Sequence, residues 1–126
     1  MYEVKVNLDF SSAHNLRAYK GKCEALHGHN WNVEIIVRSK NVNQIGMVVD
    51  FHDLKKILKE ILVDLDHVYL NEIEFFKEKN PTSENIAKYI YDKIKEKEPL
   101  LNLVRVNIWE TSNSMASYIS CDKVEE

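Results

Sequence analysis

His27-Gly28-His29-Asn30-Trp31-Asn32-Val33-Glu34-Ile35-Ile36-Val37 is the stretch from which the rest of the chain can be read. Side chains in a strand alternate between two faces. His27, His29, Trp31, Val33, Ile35 and Val37 therefore share one face, while Asn30, Asn32, Glu34 and Arg38 take the other. This alternation predicts a strand with one sheltered side. The two histidines open it on that sheltered side, where they are placed to share one ion. Cys23 lies four residues upstream, near enough to face such an ion without having to bind it. Gly28 leaves space between the histidines for a backbone to approach a ligand.

Working outward toward the N-terminus, Val4, Val6, Leu8 and Phe10 alternate with Glu3, Lys5, Asn7 and Asp9, which predicts a second half-buried strand running out through Ser11-Ser12-Ala13-His14. Residues 15–24 are polar, carry Gly21, Arg17, Lys20 and Lys22, and read as a loop. His14 and His27 thus stand at the facing ends of two neighbouring strands. Beyond a turn through Ser39 to Gly46, Asp50 is placed to cap a helix, with Asp53 near its positive end. Leu54, Ile57, Leu58, Ile61, Leu62 and Leu65 recur at helical spacing, giving a helix over roughly 51–64. Pro81-Thr82-Ser83-Glu84 opens a second helix with Thr82 or Ser83 as cap, an apolar stripe of Ile86, Ala87, Ile90, Tyr91 and Ile94, and an end at Pro99. Val104, Val106 and Ile108 alternate with Arg105, Asn107 and Trp109 in a third strand, and Met115–Ser120 supplies a fourth. The order ββααββ lacks strand-helix-strand alternation. It predicts an α+β domain, a four-stranded antiparallel sheet with two helices on one face.

At 126 residues the chain has the size of one domain spanning 1–126, and 44% hydrophobic with 29% charged residues is a globular composition. A net charge of −3 without a basic run argues against nucleic-acid or membrane-surface partners. Two cysteines are too few for a disulfide framework, which points to a reducing compartment. The N-terminal alternation is not that of a signal peptide, and no window approaches the ~18 apolar residues of a membrane span. The expected location is the cytoplasm.

Catalytic zinc typically takes three protein ligands and keeps one position open. His14, His27 and His29 supply three imidazoles for it. Cys23 has two readings: a fourth ligand that closes a structural site, or a base or nucleophile beside an open one. Glu24 is a possible second base. In Asp66-His67, the carboxylate can fix the tautomer of the imidazole, although neighbours in an extended segment point apart. Glu110 ends the third strand on its apolar parity. A carboxylate there suits a ligand with an amidine-like pair of N–H groups, such as a pterin or guanine ring.

Phe10-Ser-Ser-Ala-His14, Cys23-x-x-x-His27-Gly-His-Asn30, Val49-Asp-Phe51, Leu65-Asp-His-x-x-Leu-Asn71, Pro81-Thr-Ser-Glu-Asn85 and Trp109-Glu-Thr111 together resemble the 6-pyruvoyl-tetrahydropterin synthase family, which includes the 6-carboxytetrahydropterin synthases of queuosine biosynthesis. The resemblance implies a tunnelling fold that assembles into a homo-oligomer, a hexamer in the family, with active sites between subunits. It implies zinc on His14, His27 and His29, catalytic roles for Cys23, Asp66 and His67, and a pterin anchor at Glu110. The implied substrate is 7,8-dihydroneopterin triphosphate, with Cys23 removing a side-chain proton and His67 moving protons on the other side. The lyase product divides the family. One branch makes 6-carboxy-5,6,7,8-tetrahydropterin and acetaldehyde, another stops at the 6-pyruvoyl compound, and a third uses a glutamate near the cysteine position to make 6-hydroxymethyl-dihydropterin. The short chain favours the queuosine branch, and Glu24 beside Cys23 leaves a dual activity open. A non-enzymatic domain with a Cys-His-His-His structural zinc is the competing reading. Arg17, Lys20 and Lys22, in the loop before Cys23, read as solvated loop charges, with holding the triphosphate as the alternative.

Overall fold

Alternating apolar residues in the first forty positions form a long antiparallel hairpin, β1 (Tyr2–His14) with β2 (His27–Ser39). The computed structural model describes residues 1–22 and 24–121, so the roles assigned to Cys23 fall outside the described residues. The hairpin register sets Phe10 opposite Trp31, Ser12 opposite His29 and His14 opposite His27. β3 (Leu103–Thr111) pairs with β2, and β4 (Ser114–Ile119) pairs with β3, giving the sheet order β1-β2-β3-β4, antiparallel throughout. This is the architecture that the pattern ββααββ predicts.

Both helices pack on one face of the sheet. α1 (Phe51–Leu62) lies over β1, and α2 (Ser83–Lys97) lies over β3 and β4. Asp50 caps α1, its carboxylate accepting from the His52 N–H at 2.7 Å. Thr82 rather than Ser83 caps α2, its hydroxyl accepting from the Asn85 N–H at 3.1 Å. α1 stops two residues earlier than the apolar spacing suggests. From Val63 the chain passes into tight turns, then two single-turn 3-10 helices, Leu70–Glu72 and Glu74–Phe76. Apolar periodicity carries no signal for such short turns.

The core lies between sheet and helices, with Phe10, Trp31, Val33, Ile35, Val106 and Ile108 from the sheet meeting Leu54, Leu58, Leu62, Ile86, Ile90 and Ile94 from the helices. The strand register shifts at two places, one of them in β3–β4 between Trp109 and Thr111. The β2–β3 register slips between Ile36 and Val37, so Leu103, not Val104, joins the helix-facing cluster. A bulge of this kind moves one residue to the other face and leaves the rest of the alternation intact. The outer edge of β1 is partly covered. His67 N–H donates to Ser11 O at 2.6 Å, and Ala13 N–H donates to Val68 O at 3.1 Å. The segment after α1 is thereby fastened beside the histidine-bearing end of the hairpin.

Candidate metal centre and active site

Because β1 and β2 end opposite one another, three imidazoles meet at the open end of the hairpin. The ligand nitrogens of His14, His27 and His29 all lie within 4.8 Å of one another. Trp31 closes the site from the core side, its ring 4.9 Å from that of His14 and 5.1 Å from that of His29. Each ring's orientation has an identifiable cause. His14 Nδ1 donates to the carbonyl of Pro81 at 2.7 Å, and His27 Nδ1 donates to that of Ala25 at 2.9 Å. A carbonyl only accepts, so both Nδ1 atoms carry the proton and both Nε2 atoms present a lone pair. Those two lone pairs face each other across 3.1 Å. Two acceptors at that distance repel unless a cation or a proton lies between them.

Burial holds the His14 imidazole below its ordinary pKa, against the opposing pull of its bond to Pro81, with the neighbouring His27 and His29 adding to the depression. His14 is thus neutral near pH 7, the form that binds a metal. His29 Nε2 is buried and makes no hydrogen bond among the described residues. Glu110 Oε1 lies 3.4 Å from it, within ion-pair reach but outside hydrogen-bonding geometry. The buried His29 Nε2, together with the facing Nε2 atoms of His14 and His27, makes a donor set that one shared cation would satisfy. The donor set fits a divalent metal held by three imidazoles.

The other candidates are placed less uniformly. Glu110 stands beside the triad, as its strand parity predicts. Glu24 Oε1 accepts from the Leu16 N–H at 3.2 Å and lies 3.7 Å from His27 Nδ1. Asp66 and His67 do meet, with His67 Nδ1 2.9 Å from Asp66 Oδ2, although neighbours in an extended segment would point apart. His67 adopts φ 55°, in the left-handed region, and this turns its ring back over the preceding residue. The Ser11 N–H donates to Asp66 Oδ1 at 2.8 Å. That bond, reinforced by His67, holds the Asp66 carboxyl below the usual aspartate range. The pair sits on the outer edge of β1. Asp66 borders a cavity of about 240 Å³ lined also by Leu8, Asp9, Lys59, Leu62 and Val63, with no triad residue in its wall.

One sequence reading changes. Arg17 is not free for a phosphate, because its guanidinium donates to Phe76 O and to Asn80 Oδ1. At Gly28 an added Cβ would meet only Ser12 O, at 3.8 Å, among the described residues. The residues that sequence reasoning misses are the orienting carbonyls of Ala25 and Pro81, since a backbone acceptor leaves no mark in residue identity. On the sheet face away from the helices, Glu34 accepts from Trp109 Nε1 at 3.0 Å, Asn107 Nδ2 at 3.1 Å and Lys5 Nζ at 3.1 Å. It lines a cavity of about 380 Å³ with Asn30, Asn32, Trp109, Thr111 and Ser112.

Comparison with known proteins shows what the chain and its fold are similar to. A 6-carboxy-5,6,7,8-tetrahydropterin synthase of Synechocystis is 36% identical over 95% of this chain and 95% of its own length. The human 6-pyruvoyl tetrahydrobiopterin synthase is 33% identical over 92% of this chain and 90% of its own. Among solved structures, the 6-pyruvoyl tetrahydropterin synthase of Caenorhabditis elegans superposes with a TM-score of 0.82 at 30% identity, covering 94% of this chain and 95% of that one. With a family model matched from residue 3 to residue 121, the chain belongs to the 6-pyruvoyl tetrahydropterin synthase family.

Proposed function

We propose that this chain is a zinc-dependent 6-carboxy-5,6,7,8-tetrahydropterin synthase, acting on 7,8-dihydroneopterin triphosphate with release of acetaldehyde and triphosphate. The observation that carries the reading is the convergence of His14, His27 and His29 within 4.8 Å, with Glu110 Oε1 3.4 Å from His29. A metal-binding end and a carboxylate able to accept an amidine-like N–H pair thus lie side by side, as a pterin with a hydroxylated side chain requires. Zinc, when bound by the three imidazoles, supplies Lewis-acid polarisation next to the carbons that lose protons.

The protein's own groups do the rest. Cys23, as thiolate, removes a proton from the substrate side chain. Asp66, ionised because the Ser11 N–H and His67 hold its carboxyl low, accepts a hydrogen bond from the Nδ1–H of His67. That leaves His67 Nε2 as the nitrogen that takes up and returns a proton. The 80% exposure of the His67 side chain and the place of β4 at the edge of the sheet support an assembly in which a second copy closes the site. A homo-oligomer in the cytoplasm is the proposed form.

The second reading is a 6-pyruvoyl product, favoured by relatives of that name at nearly the same identity as those named for the 6-carboxy compound. Incubation of the purified protein with 7,8-dihydroneopterin triphosphate separates the two by the mass of the pterin and by acetaldehyde release. Formation of neither product overturns the functional reading.

A further inference from the structure

The segment after α1 lies along the outer edge of β1 in a parallel register that breaks at His67. Ala13 bridges Tyr69, its N–H donating to Val68 O at 3.1 Å. A residue in a parallel pair bonds to the groups on either side of its partner. In this register Ser11 N–H would therefore meet the carbonyl of Asp66, and Ser11 O would meet the N–H of Val68. Ser11 N–H donates instead to the Asp66 side chain, at Oδ1 and 2.8 Å, and Ser11 O accepts from the His67 N–H at 2.6 Å. The chain has slipped by one group, and His67, at φ 55°, is the residue that absorbs the slip.

The slip takes the Val68 N–H away from its strand acceptor, and Ser12 supplies another. Its hydroxyl oxygen accepts from the Val68 N–H at 3.4 Å and donates to the carbonyl of Leu65. One hydroxyl thus closes both ends of the turn at 65–68. Inside that turn His67 Nδ1 donates to Asp66 Oδ2 at 2.9 Å. An L residue keeps a left-handed backbone only where its surroundings hold it there. Ser12 is buried and Leu65 wholly enclosed, which shields the hydroxyl's bonds from water. The His67 side chain is exposed, so its ring is placed by its backbone and by Asp66 rather than by packing.

We propose that Ser12 is a positioning residue: by closing the turn at 65–68, its hydroxyl holds His67 in the left-handed conformation that aims Nδ1 at Asp66 and leaves Nε2 bare. The proposal rests on the functional reading above only for what His67 then does, and its test lets the two fail separately. Long-range proton–nitrogen spectra at about pH 8.5, where imidazoles are neutral, read the tautomer of each ring, with His67→Gln identifying the His67 signals. Turnover of dihydroneopterin triphosphate is measured in parallel. Ser12→Ala removes both bonds, and Ser12→Thr keeps the hydroxyl. Ser39→Ala is the comparator, because the Ser39 hydroxyl likewise donates to Asn41 O at 2.7 Å and accepts from the Asn41 N–H at 3.2 Å, at the far end of β2.

Expected in Ser12→Ala are a change of the His67 ring from the Nδ1-protonated form to a mixture of both tautomers, and a fall of about tenfold or more in kcat with KM little changed, the scale set by a small misplacement of a reacting group. Ser12→Thr should restore both, and Ser39→Ala should move neither. The Trp31 indole, which donates to Ser12 O at 3.3 Å, reports on the strand itself and should keep its signal. If Ser12→Ala does not fold, Ser12→Thr against Ser12→Val, nearly equal in shape, carries the comparison, with the altered ring expected in the valine variant. The proposal is overturned if loss of the hydroxyl leaves the His67 tautomer unchanged or keeps kcat within about twofold of an active parent. An equal change in Ser39→Ala or at the Trp31 indole overturns it too. A parent inactive on the pterin whose His67 tautomer still changes in Ser12→Ala would refute the substrate and leave the Ser12 bracket standing.

Discussion

Removing one imidazole from the triad should abolish a metal-dependent rise in stability that the intact site produces. The rings are oriented before any metal arrives, His14 by Pro81 O at 2.7 Å and His27 by Ala25 O at 2.9 Å. Little ordering cost is therefore charged against binding, and occupancy acts almost wholly on the folded state. At a free zinc concentration a hundred times the dissociation constant, the folded form gains about 2.7 kcal/mol. An unfolding entropy of about 2.1 cal/mol/K per residue gives about 0.26 kcal/mol/K for 126 residues, so the melting temperature should rise by about 10 °C. Differential scanning fluorimetry with and without zinc reads this directly. His14→Ala, His27→Ala and His29→Ala should each lose most of the increment at the same zinc concentration. The increment should also shrink on acidification toward about pH 5, because imidazoles must be neutral to bind. An equal zinc response in the parent and the three variants, or none in the parent, would refute the three-histidine site.

Replacing Cys23 by alanine should leave the melting temperature and the cobalt d–d bands in place while turnover of dihydroneopterin triphosphate disappears; full activity would remove Cys23 from the mechanism. A strong sulfur-to-cobalt charge-transfer band in the parent would instead make Cys23 a ligand and support the structural-zinc alternative. Glu34 has opposing influences, burial pushing its carboxyl up and bonds from Trp109, Asn107 and Lys5 outweighing it, with a net lowering. A carboxylate whose folded pKa lies below its unfolded one adds stability above the unfolded value, and loses it as pH falls through the folded one. Glu34→Gln should therefore be less stable than the parent at pH 7, with the gap closing below about pH 4.5; a gap independent of pH would refute this. Thr82→Ala removes the α2 cap and should cost about 1 kcal/mol, or about 4 °C, measured by thermal unfolding.

Strand parity alone put His27, His29 and Glu110 on the face that shelters the site, because a period of two is fixed by backbone geometry. Helical spacing likewise named the buried faces of α1 and α2, and the hairpin ends brought His14 toward His27. These are local rules, and residue identity expresses them. The tertiary structure decided what no periodicity encodes. It supplied the carbonyls of Ala25 and Pro81 that choose the tautomers, the left-handed turn that folds His67 back on Asp66, and the bulge that admits Leu103 to the core. It also turned Arg17 from a candidate phosphate ligand into a bond to Phe76 O and Asn80. The carbonyls of Pro81 and Phe76 arrive from distant segments, while Ala25 O and the His67 turn are local backbone geometry; backbone groups are chemically alike at nearly every position, so residue identity marks neither.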